Sequence, residues 1–466
     1  MVRHVILICV ALAAAACSSE ASKATGSDAG HEPSVDAGSD GGMPPVDAGL
    51  PTYPVYPGCD APATSFARTI WIDPSATADG GDGSQAAPFH TLAGAFAAKQ
   101  IAAGDHVVLL AGNHGAVQVS RYNNAQLVDA AAWIWLDFQP GATVQSLDIR
   151  DMSSWLITRA EVSAPKVTLV SFNSSSKMVL ADSHLYTVQD ASGWTADDWI
   201  NTASNGISVR NGSCVALLRN EVLNTRFGIQ IFTDALARPD ASMKVLAQGN
   251  EVANFSGDAM RVIASDVTVE GNHLHDAYAS EADGDSNHDD ALQMWALNGA
   301  TFDNIVIDGN WVQETTSATR PFQNSLQGID DFDGIDTHVS ITRNVVLVSA
   351  YHGISLYGSQ DSVIDHNTVA NPTRNGHKTW IMVHEMKDGG AAENVTVTNN
   401  AATEFSLAQT TTGLVSANDV VVTDPASVYT TFDGTSMSFD LTPQPGSVLD
   451  GADAGAPAVM PPASLP

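Results

Sequence analysis

The chain has 466 residues, with 52 Asp+Glu against 20 Lys+Arg and a formal net charge of −32. A surface this acidic argues against nucleic acid as a partner and works against unaided binding of polyanions. Length alone allows two domains, but repeat architectures run longer as one.

Residues 1–16 open with Arg3 and His4, followed by VILICVALAAAA. This apolar run is too short to span a bilayer comfortably and reads as an export signal. Ala14-Ala15-Ala16-Cys17 resembles a bacterial lipoprotein processing site, although Ala replaces the usual Leu three places before the Cys. The resemblance implies lipid on Cys17 and a chain tethered to a bacterial membrane or cell surface, not spanning it. Residues 17–57 are dominated by Ser, Ala, Asp, Gly and Pro, with DAG at 28–30, 36–38 and 47–49, and read as a disordered acidic spacer. The tail at 448–466 reads the same way, leaving one ordered domain at 58–447. An exported chain permits a disulfide between Cys59 and Cys214, but two separate buried thiols fit the sequence equally well.

The ordered region repeats. VALLRNEV (215–222), VLAQGNEV (245–252), VTVEGNHL (267–274), IVIDGNWV (305–312) and VSITRNVV (339–346) share one pattern, with weaker copies at 362–369 and 395–402. Each shows strand alternation before a turn, and the Asn falls at 220, 250, 272, 310, 344, 367 and 400. Spacings of one coil suit a solenoid, with the Asn amides stacking from coil to coil and bonding the turn backbone. A second strand recurs between these: GISVR (206–210), GIQIF (228–232), AMRVI (259–263), ALQMW (291–295), GIDDF (328–332), GISLY (353–357) and WIMVH (380–384). Two unlike strands per coil predict that like strands lie parallel and in register.

Upstream, TIWIDPSATADGGDGSQAAPFHTLAGAFAA (69–98) and AGDHVVLLAGNHG (103–115) supply a strand, a Gly/Asp loop, a short helix and another strand. With these, the chain over about 65–410 resembles the right-handed parallel β-helix proteins of the pectate-lyase-like superfamily. The resemblance implies an all-β, single-stranded right-handed parallel β-helix with an N-terminal capping helix. Leu92, Ala95 and Phe96 would then cover the open end of the stack. It also implies an extracellular monomer acting on polysaccharide.

Taking GISVR as the register, Ile207 and Val209 point inward. One outward row is then Ser208, Gln230, Arg261, Gln293, Asp330, Ser355 and Met382. The next is Arg210, Phe232, Ile263, Trp295, Phe332, Tyr357 and His384, and the position before the strand gives Asn205, Phe227, Asp258, Asp290, Gln327, His352 and Thr379. With coils about 4.8 Å apart, these acids, cations and aromatic rings gather on one face as a cleft. Asp331 falls on an inward position, which requires either a bulge or a buried carboxyl of raised pKa.

Asp283, Asp285, Asn287 and Asp289 alternate as oxygen ligands suited to a small Ca²⁺ loop, without the glycine and glutamate of an EF-hand. Zinc through His273, His275 and His288 has no recognised spacing.

Three activities fit the face. A lyase cleaving a uronic acid needs the sugar carboxylate neutralised, a base for the C5 proton and a donor for the leaving oxygen. His352, Lys378 or Lys387 would be the base and Tyr357 the donor. A hydrolase resembling polygalacturonases would pair Asp290 with Asp330, but the Gly-His-Gly and Arg-Ile-Lys signatures of that group are missing. A non-catalytic binding protein would use Trp295, Phe332 and Tyr357 as sugar platforms. The lyase is the leading expectation. Asp290, Asp330, His352, Tyr357 and Lys387 are its catalytic candidates. Arg261, Gln293, Trp295, Gln327, Asp331, Lys378 and His384 are the substrate contacts.

Overall fold

The computed structural model describes residues 51–77, 81–127, 132–234, 242–278, 289–295, 300–317, 326–332, 334–373 and 377–465. The expected signal, Cys17 and most of the spacer lie outside them.

Among the described residues, three parallel sheets of 13, 11 and 12 strands run the length of the molecule, with an antiparallel pair near the C-terminus. In each sheet every strand pairs with its counterpart one coil later, so the chain climbs as a β-helix. The VALLR-type strands form the 13-stranded sheet and the GISVR-type strands the 11-stranded sheet. The third sheet departs from the expected two strands per coil. Its members follow the Asn, as in Glu221–Thr225, Glu251–Phe255, His273–Ala277 and Trp311–Gln313. Several are three residues long, too short to show a period of their own.

The core is the set of inward rows. Ile207, Ile229, Met260, Leu292, Ile329, Ile354 and Ile381 stack through the 11-stranded sheet, all buried. The Gly before these strands marks close approach of coils, since a Cβ on Gly328 would lie 2.0 Å from the carbonyl oxygen of Gly353.

The Asn row turns the corner between two sheets. The residue before each Asn is left-handed, with φ between 51° and 64° at Arg219, Gly249, Gly271, Gly309, Arg343, His366 and Asn399. The Asn then folds back into the interior. Asn250 Nδ2 donates to Asn272 Oδ1 at 2.9 Å and to the Leu217 carbonyl at 2.9 Å, while its backbone N–H also reaches Asn272 Oδ1. The same set repeats through Asn272, Asn310, Asn344, Asn367 and Asn400, where Asp419 ends the ladder. Every rung satisfies a side chain and a turn amide away from water.

Two of the three faces are covered. Tyr53, Val55, Tyr56, Ala63 and Phe66 pack on the outer side of the 13-stranded sheet against Leu156, Val179, Ala216 and Leu218. A Cys59–Cys214 disulfide fastens this segment, with Cα atoms 5.6 Å apart. The spacer boundary at 57 is therefore corrected, because Tyr53 already has an apolar surface to bury against. On the 12-stranded sheet, Trp311, Val345, Leu347, Ala370 and Ala401 meet the antiparallel pair Tyr429–Asp433 and Ser438–Pro443. The tail expected to be disordered from 448 is corrected too. Leu449 is buried, Gly455 N bonds Asn399 O at 2.8 Å, and Leu441 N bonds Val459 O at 2.8 Å. The helix at Leu92–Ala97 is capped by Thr91, which accepts from Gly94 N at 3.0 Å. It contributes Leu92, Ala95 and Phe96 to the solenoid core.

Candidate functional site

The outer face of the 11-stranded sheet gathers the polar and aromatic residues. Its pairing follows the sequence register: Arg261 opposite Gln293, Gln293 opposite Asp330, Asp330 opposite Ser355, Asp290 opposite Gln327, and Trp295 opposite Phe332.

Depth differs from the expectation of an open cleft floor. Asp290 and Asp330 are both fully buried, and their carboxyls are in hydrogen-bond contact. Burial, then Asp258 and Asp289 nearby, push the Asp290 pKa well above the usual carboxylate range, so this pair holds a proton. Asp258 is equally buried. It accepts from Asp290 N at 3.0 Å and pairs with the Arg261 guanidinium. That guanidinium lies 3.9 Å from the Phe227 ring centre and 5.2 Å from that of Trp295. Two aromatic faces thus hold a cation over the acid group.

The next coils add a ring cluster. His352 Nδ1 meets Ser355 Oγ at 2.9 Å, and its ring stands edge-on to Trp380 at 5.3 Å and to Phe332 at 5.6 Å. Tyr357 lies 5.2 Å from Phe332 and 6.2 Å from His352. Lys387 Nζ sits 5.7 Å above the Phe332 ring. His384 Nε2 contacts Ser406 Oγ at 3.0 Å, one coil farther on. The pairing slips between His352 and Ile354, so Trp380, not Thr379, stands opposite His352.

Two expected contacts are corrected. Asp331 belongs to the interior, opposite Met294 and Leu356, and the pairing there shows no slip. It is a buried carboxyl, not a bulge. Ser359 Oγ donates to it at 2.9 Å, and Asp336 shares a hydrogen bond with it while accepting Phe302 N at 2.9 Å. Burial raises both, Asp336 to about 6. No sugar reaches Asp331 at zero exposure. Lys378 is exposed and paired with Glu404 at 3.1 Å, which takes it out of the ring cluster.

Of the calcium residues, Asp283, Asp285 and Asn287 lie outside the described residues, as does His288. Asp289 is described and buried beside Asp290. Its carbonyl accepts Gln327 N at 3.0 Å.

The sequence reading missed Phe227 as a partner of Arg261, and Trp380 with Tyr351, whose rings stack at 5.2 Å. The adjacent rings of Tyr351-His352 and the Trp380 that opens the next strand of the row were the available signal. It also missed Glu314, whose pKa burial raises to about 7. On the 12-stranded sheet the structure joins His273 and His275 to Glu251, a residue with no motif of its own. Burial lowers the His273 pKa to about 4. A separate cavity of about 610 Å³, lined by Thr342, Arg343, Asp365, His366 and the 452–457 segment, shares no residue with either cluster.

Residues 205–376 match the family model described as the right-handed β-helix region. The fold is a right-handed parallel β-helix. Among solved structures, pectate lyase Pel9A aligns at 12% identity and TM-score 0.39, over 86% of this chain and 95% of that one. The A-module of the Azotobacter vinelandii mannuronan C-5 epimerase AlgE4 aligns at 14% identity and TM-score 0.38, over 75% and 92%. The Dettilon tailspike protein aligns at 10% and 0.37, over 75% and 68%. No curated protein sequence matches the chain.

Proposed function

We propose that the outer face of the 11-stranded sheet binds a uronic-acid-containing polysaccharide and cleaves it by β-elimination. The observation that carries this is the placing of cations on aromatic rings. In a chain of charge −32, Arg261 is held between Phe227 and Trp295, and Lys387 lies over Phe332, on one face. Rings stack on sugar faces, and the cations answer a carboxylate that the rest of the surface repels.

In the reaction a base takes the C5 proton. The C4–C5 double bond forms as the C4–O4 bond breaks, and O4 leaves with a proton. His352 is the base and Tyr357 the donor, the two ends of one strand with their rings 6.2 Å apart. Arg261 and Lys387 neutralise the carboxylate, assisted by calcium if the 283–289 loop takes it. The buried Asp258, Asp290 and Asp330 set the field around Arg261. Glycoside hydrolysis needs two carboxyl groups about 5 Å apart or more. Asp290 and Asp330 touch, which favours elimination over hydrolysis by that pair. The chain works outside the cytoplasm, lipid-tethered through Cys17, and its disulfide suits an oxidising compartment.

The test is to incubate the full mature chain with polyuronates and neutral glycans, with and without EDTA. Ultraviolet absorbance of the unsaturated product and reducing ends are read together. Both rising on a polyuronate is expected. Reducing ends without absorbance overturn the lyase in favour of a hydrolase. Silence in both, with glycan retained, leaves a binding protein.

A further inference from the structure

A second polar cluster lies on the 12-stranded sheet, away from the face described above. Glu251 begins the strand Glu251–Phe255, and His273 and His275 lie on the next strand, His273–Ala277. Their register sets Glu251 opposite His273 and Ala253 opposite His275, so His275 approaches Glu251 diagonally. One ligand atom from each of the three lies within 4.8 Å of the others. Each residue is at least nine-tenths buried.

Two features set this apart from an ordinary buried ion pair. First, His273 has neither ring nitrogen hydrogen-bonded among the described residues, although it is only 7% exposed. A buried imidazole with two unmet nitrogens loses its hydration with nothing in return unless something occupies one of them. Second, His275 is already oriented from behind. Its Nδ1 meets Asp276 Oδ2 at 2.8 Å, leaving Nε2 facing Glu251 Oε1 at 3.0 Å. Asp276 is fixed in turn by the Thr316 N–H at 2.8 Å and the Thr316 hydroxyl at 2.7 Å. A carboxylate behind a histidine is the usual support of a zinc ligand. Zinc bonds of about 2.0–2.1 Å in tetrahedral geometry set ligand atoms roughly 3.3 Å apart, close to the His275–Glu251 spacing.

We propose that Glu251, His273 and His275 form a zinc(II) site with Asp276 as its outer support. Three protein ligands of this type leave one position for water or an exogenous donor. Leu465 N bonds Glu251 Oε2 at 2.8 Å, so the C-terminal segment lies directly on a ligand. The metal therefore ties two successive coils together beneath that segment.

The test uses the full mature chain, stripped with chelator, dialysed and titrated with ZnCl₂ against a chromophoric competitor. Co²⁺ serves as the absorbance probe of geometry. One equivalent bound, a tetrahedral Co²⁺ spectrum and a higher melting temperature with zinc are expected. His273→Gln and His275→Gln should each weaken binding at least about 100-fold, and Asp276→Asn about 10–100-fold. Wild-type protein that binds no zinc overturns the proposal, whatever the variants do. So does unchanged affinity in folded His273→Gln, which would place the metal elsewhere. If the histidine variants fail to fold, Asp276→Asn retains all three ligands and decides the matter: unchanged affinity there also overturns it.

Discussion

Two regions of the solenoid bury polar side chains, and they do so by opposite means. The Asn ladder uses neutral amides, each donating and accepting in the same pattern from coil to coil. The middle coils of the 11-stranded sheet bury carboxyls: Asp258, Asp290 and Asp330 near the face, Asp331 and Asp336 inside. The ladder is indifferent to pH. The carboxyls remain inside only by sharing protons or by pairing with Arg261. A repeat can propagate the first arrangement without limit. The second is confined to a few coils and makes them chemically unlike the rest.

The largest way to break this contrast is Asn310→Leu. It strips the acceptor from Asn272 N and the donor from the Val269 carbonyl. We expect a loss of about 3 kcal/mol or more, equal at pH 5 and pH 8, read from urea midpoints. A pH-dependent loss would show that the ladder is not the neutral element.

Asp331→Asn sharpens the comparison from the acid side. Asp336 is raised from 3.8 to about 6, and Asp331 is raised as well. The native state thus holds protons that the unfolded state releases. That stabilisation is full below about pH 4 and declines as pH rises through 6 and beyond. The variant removes one member of the pair. It should gain stability relative to the parent by on the order of 2 kcal/mol between pH 5 and pH 8. Parallel pH profiles for parent and variant would sink the shared-proton account.

On the face itself, His352→Ala should lower turnover about 100-fold or more with its melting temperature little changed. Arg261→Gln should weaken glycan retention about tenfold, because it removes the cation between two rings. Lys378→Ala should change turnover less than about twofold, as its partner Glu404 is a rim residue. A large effect at Lys378 would return it to the candidate site.

Much of the fold was legible because the solenoid repeats its signals. The Asn positions, the Gly-Ile strand starts and the row Arg261–Gln293–Asp330–Ser355 all follow from period and alternation. What was not legible depends on contacts between unlike parts of the chain. Tyr53 and Leu449 sit in segments of linker-like composition, and only the sheets they cover give them something to bury against. Alternation says which way Asp290 points, but not whether it reaches water. Glu251 meets His275 by coil stacking at a sequence separation of 24, a distance no local motif spans.

The disulfide also fixes how load enters the molecule. A pull on the chain at residue 51 passes through Cys59 to Cys214, on the strand Ser213–Leu218. That is the sixth strand in the 13-stranded stack, counted from Arg68–Ile72. Force therefore bypasses the first coils, which carry no tension and cannot be peeled one by one from their exposed end. A chain drawn along by its leading segment would drag the stack from its middle, with the coils bearing His352 and Tyr357 beyond the point of attachment.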